Sequence, residues 1–332
     1  MRRLMVLVAL STVVMCACSE SALSTGAALV APAAPAPTGA TVSTAAPAEP
    51  LTRSAALAQA QAGYRFTFEA ALIGVPELPA GLSVTGSGTV DQQGNRSSVL
   101  LDVHALRDLL VASGEVSASD IDPFLVDGRI ELAQDGSTVY IRMPALAQRL
   151  GSSRQWVSMT IPTADPAAAS PAVPGALGAL GGIGGGVTAP AAYLAQLRNL
   201  DASAHEASTE VVRGASTTRY SGTLDLRALM GAQMTPAQAA DLHSMMPFLD
   251  AFKLPFDVWV DADGLPRRFV LTLKLDSFMA GAAPRPTPVA AQPAPSLTFT
   301  YDLFDFGTAG TVTLPAADEV TVVDPRQLEA LR

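Results

Sequence analysis

Lysine is almost missing from this chain: of 332 residues only Lys253 and Lys274 carry an ammonium side chain, and acidic residues outnumber basic ones for a formal charge of −9. Binding a phosphate backbone or an anionic membrane surface by bulk charge needs many clustered cations, so nucleic acid is not an expected partner. Aromatics make up 5% and charged residues 15%, while 49% of the chain is apolar. Much of that apolar share is alanine in low-complexity runs, so the ordered part is smaller than the whole chain. The composition matches neither a collagen nor an acidic disordered tail.

Two cysteines and three histidines are too few and too scattered for a metal centre. His205-Glu206 opens like a zinc-protease helix, but Thr209 stands where the second histidine belongs. There is no Gly-X-Ser-X-Gly elbow, and two lysines leave no Ser-X-X-Lys pair. The glycines at 181–186 match neither a dinucleotide fingerprint nor a phosphate loop and suit a flexible linker. Asp120 with Asp122, or Asp302 with Asp305, are read as loop charges rather than as an acid and a base. No catalytic residue, metal ligand or cofactor is expected, and the chain is read as non-enzymatic.

Long apolar runs are also lacking, with one informative exception. Arg2-Arg3, an apolar stretch from Leu4 to Met15, and Cys16-Ala17-Cys18-Ser19 have the order of a secretory signal, and a dozen apolar residues cannot span a bilayer. Small Ala17 before Cys18 resembles a bacterial lipobox, which implies a diacylglyceryl and palmitate modification at Cys18 and an anchor on the extracytoplasmic face of the cell membrane. An ordinary signal peptide or a Cys-X-Cys metal site are the alternatives. Cleavage before Cys18 removes Arg2, Arg3 and Cys16 and moves the formal charge from −9 to −11, with no disulfide left to brace the exported part. Two or more acyl chains on one cysteine give stable anchoring, at about 0.8 kcal/mol per buried methylene.

The expected organisation is a signal peptide at 1–17, a lipidated Cys and Ala/Pro/Thr-rich spacer at 18–50, one domain at 51–325 and a short tail at 326–332. Thirty spacer residues reach roughly 90 Å at about 3.1 Å each. Flexible inserts fall at 164–188 and 281–296. Within the domain, Leu51 to Ala62 reads as a helix capped by Gly63. Period-two runs joined by Gln93-Gly94, Asp135-Gly136, Arg213-Gly214 and Asp263-Gly264 read as hairpins, and Leu297–Phe306 with Thr311–Leu314 as a last one. Helices are expected near 193–200, and after Thr235-Pro236 with a stripe of Ala239, Leu242, Met246 and Leu249. The class is α+β: a curved antiparallel sheet of about ten strands with a few covering helices.

The stretch from Thr209 to Leu226, followed by Val258-Trp259-Val260-Asp261-Ala262-Asp263-Gly264-Leu265-Pro266-Arg267-Arg268, resembles the second half of actinobacterial envelope lipoproteins of the LppX/LprG/LprA/LprF family. Gly136 to Pro144, then Trp156-Val157-Ser158, match that family's strand, proline and tryptophan order. The resemblance implies a LolA/LolB-like half-barrel whose apolar cavity holds acyl chains of lipids or lipoglycans.

A ten-stranded sheet with few helices also leaves an apolar hollow, or must close on itself, by elementary packing. The candidate cavity lining is Phe66, Phe68, Ile141, Leu226, Met230, Leu242, Met245, Met246, Leu249, Phe252, Val258, Phe269 and Leu271. The Met-rich segment Met230, Met234, Met245 and Met246 beside Phe248 and Phe252 suits an adaptable lid, because flexible thioethers conform to variable partners; filling core is the alternative use of the methionines. Arg267 and Arg268 are candidates for a lipid phosphate or an acidic partner, against a plain solubilising role. Lipid binding or transfer is the expected function. A structural or protein-interaction module with a solid core is the alternative.

Overall fold

A computed structural model describes residues 50–75, 78, 81–114, 117–160, 204–225, 253–275, 294–308 and 310–323. Helix α1 (Pro50–Gln59) leads into β1 (Gly63–Ile73), β2 (Leu82–Asp91) and β3 (Arg96–Asp102). Helix α2 (His104–Ala112) and the single turn α3 (Ala118–Ile121) precede β4 (Arg129–Asp135) and β5 (Thr138–Arg142). Then come α4 (Pro144–Arg149), β6 (Trp156–Thr160), β7 (His205–Val212), β8 (Ala215–Asp225), β9 (Lys253–Asp261), β10 (Pro266–Lys274), β11 (Ser296–Phe304) and β12 (Val320–Val322).

All twelve strands form one sheet in the order β12-β6-β5-β4-β3-β2-β1-β11-β10-β9-β8-β7. Two meanders, β1 to β6 and β7 to β11, are joined through the antiparallel pair β1·β11. The sheet is open, since its end strands β12 and β7 do not pair with each other. Every pairing is antiparallel except β12 with β6. The expected antiparallel sheet with few helices is therefore present, two strands wider than expected.

Local chemistry explains the hairpins. Arg213-Gly214 is a two-residue loop with φ of 49° and 83°, the left-handed pair that matches strand twist. At the β9–β10 turn the Asp261 carboxylate accepts the backbone N–H groups of Asp263 (3.0 Å) and Leu265 (2.9 Å), which sets the turn around Gly264.

Two expectations need correcting. The first helix stops at Gln59, and Gly63 opens β1 instead of capping it: a Cβ there would lie 2.3 Å from the Val90 carbonyl oxygen, so the strands approach too closely for a side chain. Thr311–Leu314 forms no strand. Asp305 and Gly307 take φ of 55° and 82°, turning the chain off β11, and the Gly307 N–H donates to the Gly63 carbonyl. The chain then reaches the far edge, where β12 joins β6. Helix α2, to which the sequence reading assigns no element, buries Leu106 and Leu110. The expected helices near 193–200 and after Thr235 lie outside the described residues, as does the insert at 164–188.

Candidate functional site

The site begins with strand parity. β1 turns Tyr64, Phe66 and Phe68 to one face and Arg65, Thr67 and Glu69 to the other. Register carries this division across the sheet. Phe66 lies in one row with Leu303 on one side and, on the other, Gly88, Val99, Leu132 and Ile141. Phe68 shares the next row with Tyr301, Phe269 and Val258. A third row joins Phe299, Leu271 and Phe256. Six of the expected lining residues, Phe66, Phe68, Ile141, Val258, Phe269 and Leu271, thus share one face of one sheet, and all are buried. Leu226, Met230, Leu242, Met245, Met246, Leu249 and Phe252 lie outside the described residues, as does Cys18.

Two glycines shape this face. An added Cβ at Gly88 would meet the Phe66 ring at 2.4 Å, and one at Gly86 would meet the Phe68 ring at 2.2 Å. The rings therefore lie down across β2, where a side chain would otherwise stand. Phe68 also stacks on Tyr301 with centroids 5.9 Å apart. Helix α1 adds Leu51, Ala55 and Ala58 to the same cluster, and α2 adds Leu106 and Leu110. Tyr64, Tyr301, Phe256, Phe299 and Leu303 belong here too, though they were not among the expected lining residues. Alternation along Phe299-Thr300-Tyr301-Asp302-Leu303 is the signal that could have identified three of them.

The opposite face is held by charge. Asp302, 13% exposed at its side chain, takes a two-pronged contact from Arg268 at 2.6 and 2.9 Å. Arg213, at the tip of the β7–β8 hairpin, donates to the same carboxylate (3.2 Å) and to Thr67 Oγ1 (2.9 Å), with its guanidinium 4.2 Å from the centre of the Phe304 ring. The hairpin tip therefore leans over β11 and β1. Trp259 donates its indole N–H to Glu210 (3.0 Å) and lies beneath Arg219. The Ser208 hydroxyl and then the Trp259 N–H hold the Glu210 carboxyl below its ordinary range. The Asp302 contact raises the Arg268 guanidinium further. Arg267 pairs with Asp261. Both candidate phosphate arginines are thus engaged with carboxylates of their own chain.

Beside this network an open groove of about 510 Å³ runs across β4, β3, β2, β1, β11 and β10. Thr67, Glu69, Thr85, Ser87, Asp102, Arg268 and Thr300 are among the residues that line it. Asp102 accepts the backbone N–H of His104 (3.1 Å) and lies 2.9 Å from its Nδ1, contacts that lower its carboxyl from the ordinary value. Among the described residues no three His, Cys, Asp or Glu side chains converge as a metal site would require. No helix among them is long and apolar enough to cross a membrane.

The class defined by these observations is an open antiparallel sheet with one continuous apolar face and one polar, ion-paired face. No family model matches the chain, and no curated protein matches it by sequence. Among solved structures it is similar to LprF from Mycobacterium bovis, at 14% identity and a TM-score of 0.37, over 80% of this chain and 94% of that one. It is likewise similar to the lipoprotein LppX from Mycobacterium tuberculosis, at 10% identity and a TM-score of 0.37, over 80% and 96%. A LolA-superfamily protein from Nitrosomonas europaea aligns at 10% identity and a TM-score of 0.26, over 80% and 93%. These proteins are of the kind the sequence resembles. The likeness is a partial one of fold and is silent about any ligand.

Proposed function

We propose that this chain is a lipoprotein of the bacterial envelope, anchored through Cys18, that holds the acyl chains of a lipid or lipoglycan against the apolar face of its sheet and catalyses no reaction. The observation that supports this most is the continuity of the rows through Phe66, Phe68, Phe269 and Leu271 across both meanders. Acyl chains need such a surface and little else, since each methylene removed from water is worth about 0.8 kcal/mol without directed polar contacts. A ten-residue helix is about 15 Å long, and twelve strands at about 4.8 Å span more than 50 Å. Helices the size of α1 and α2 therefore cover a fraction of the face, and the Met-rich segment from Met230 to Phe252 takes the part of an adaptable lid. The spacer before Pro50 gives the domain reach from the membrane.

A second reading has support of its own. Phe66 and Val258 are fully buried and Leu271 is 1% exposed, values expected of a solid core, and the module then displays a surface to a protein partner. Uptake of a fluorescent fatty acid by the purified chain separates the two. On the acyl reading the probe binds saturably, and Met246→Asp lowers uptake while leaving the circular dichroism unchanged. Absence of saturable uptake favours the solid core. Labelling with radioactive palmitate tests the anchor: the wild type is labelled and sediments with membranes, whereas Cys18→Ser does neither.

A further inference from the structure

We propose that the groove on the polar face is a binding site for an uncharged, polyhydroxylated ligand, a saccharide, separate from the apolar face. Its walls and floor come from six neighbouring strands, so the groups repeat about every 4.8 Å across the groove and every 6.8 Å along it. Thr85 lies between Glu69 and Asp102 in one row, and Thr67 between Asp302 and Ser87 in the next. In the first row, which Thr300 extends, hydroxyls alternate with carboxylates, and in the second two hydroxyls stand beside one carboxylate, so a ligand O–H finds both acceptors and donors within reach.

The chemistry narrows the class. Carboxylates outnumber guanidinium groups in the lining, three (Glu69, Asp102, Asp302) to two (Arg129, Arg268), which disfavours an anion such as phosphate. The carboxylates stand on different strands and do not converge, and no metal-binding group is found among the described residues. An acyl chain would bury these polar groups without partners, at a cost that apolar contact with Leu100 and Phe68 cannot offset. A saccharide suits the same groups, because its ring hydroxyls donate to carboxylates and accept from threonine and arginine.

The acceptors are also held in place before any ligand arrives. Asp102 is fixed by His104, and Asp302 is fixed by Arg268 and Arg213. Glu69 accepts the Ser83 hydroxyl at 2.9 Å through one oxygen, and its second oxygen has no partner among the described residues. Positioned charged acceptors of this kind bind more strongly than mobile ones. The groove volume lies within the range of small-molecule sites.

The test is backbone-amide NMR on the full chain, titrated separately with maltotriose, mannotriose, chitotriose and inorganic phosphate to about 10 mM, enough to saturate a millimolar site. The expected result is saturable shifts at Thr67, Glu69, Thr85 and Thr300 with at least one trisaccharide. In Glu69→Gln and in Asp102→Asn the affinity falls about tenfold, as loss of one charged hydrogen bond predicts, with an unchanged spectrum elsewhere. Should Asp102→Asn disturb the fold through His104, Thr85→Val replaces it in the same measurement. No shift with any trisaccharide overturns the proposal, as does a site that takes phosphate alone, or binding that survives both substitutions. Fatty-acid uptake is measured in the same variants and stays at the wild-type level, so this inference and the acyl reading fail independently.

Discussion

On one side of β1, Phe66 and Phe68 are at most 4% exposed and lie across glycines; one residue away on the other side, Thr67 and Glu69 open into a groove. The same backbone thus supports two kinds of surface. The apolar face gains from area removed from water and depends on shape, so its weak points are the largest rings and the glycines that make room for them. The polar face gains from pairings such as Asp302 with Arg268 and Arg213, which are sensitive to the loss of one partner. A mutation should therefore have an effect set by the face it strikes more than by the strand it lies on.

Phe66→Ala is expected to have the largest effect, a loss of about 3–5 kcal/mol in urea unfolding, because a fully buried ring is removed from the row between Gly88 and Leu303. Gly88→Ala should cost about 1–3 kcal/mol through collision with that ring and with the Ser98 carbonyl oxygen, of which only the first is relieved by removing the ring. Combining it with Phe66→Ala sharpens the point, since the double variant should lose less than the two singles together. Additive losses would mean that the ring and the glycine do not share a site.

Asp302→Ala should cost about 1–3 kcal/mol, smaller because it strikes the polar face, yet measurable because two guanidinium groups lose their acceptor. Hydrogen exchange at the β7–β8 hairpin should speed up in this variant, whereas the amides of β4 and β5 should not change.

The Glu210 carboxyl has a folded pKa below its unfolded one. Its contribution is complete above the unfolded value and is lost as pH falls through the folded one, so acidification below about pH 4 should loosen the contact to Trp259. In a Trp156→Phe background the Trp259 emission should shift over that window, and Glu210→Gln should remove the shift. The smallest effect is expected of Arg96→Ala. Its pair with Asp135 lies on well-exposed side chains, and the loss should stay below about 0.5 kcal/mol.

Much of the sheet was legible in the sequence because hairpin chemistry is local. Asp135-Gly136, Arg213-Gly214 and Asp263-Gly264 each mark a turn, and alternation on either side gives the strands. The pairing of β1 with β11 was not legible, because more than 200 residues separate the partners and nothing local announces them. The same holds for Asp302, which meets Arg213 across 89 positions. The tail after Phe304 was misread for a related reason: Thr311 to Leu314 has strand-like composition, but the turn at Asp305 and Gly307 takes the chain away from β11. Alternation separates residues into faces, and Phe66, Phe68, Ile141, Val258, Phe269 and Leu271 stand on one face of the sheet. Which role that face plays is a question of what fills or covers it, and composition does not record it.

Native mass spectrometry of the full chain, released from membranes and then incubated with a bacterial envelope lipid extract, addresses the central claim most directly. A stoichiometric adduct that organic extraction removes, and that proves to carry acyl chains, is the predicted result. A bare protein mass, unchanged after incubation with the extract, would contradict it and leave the apolar rows as core.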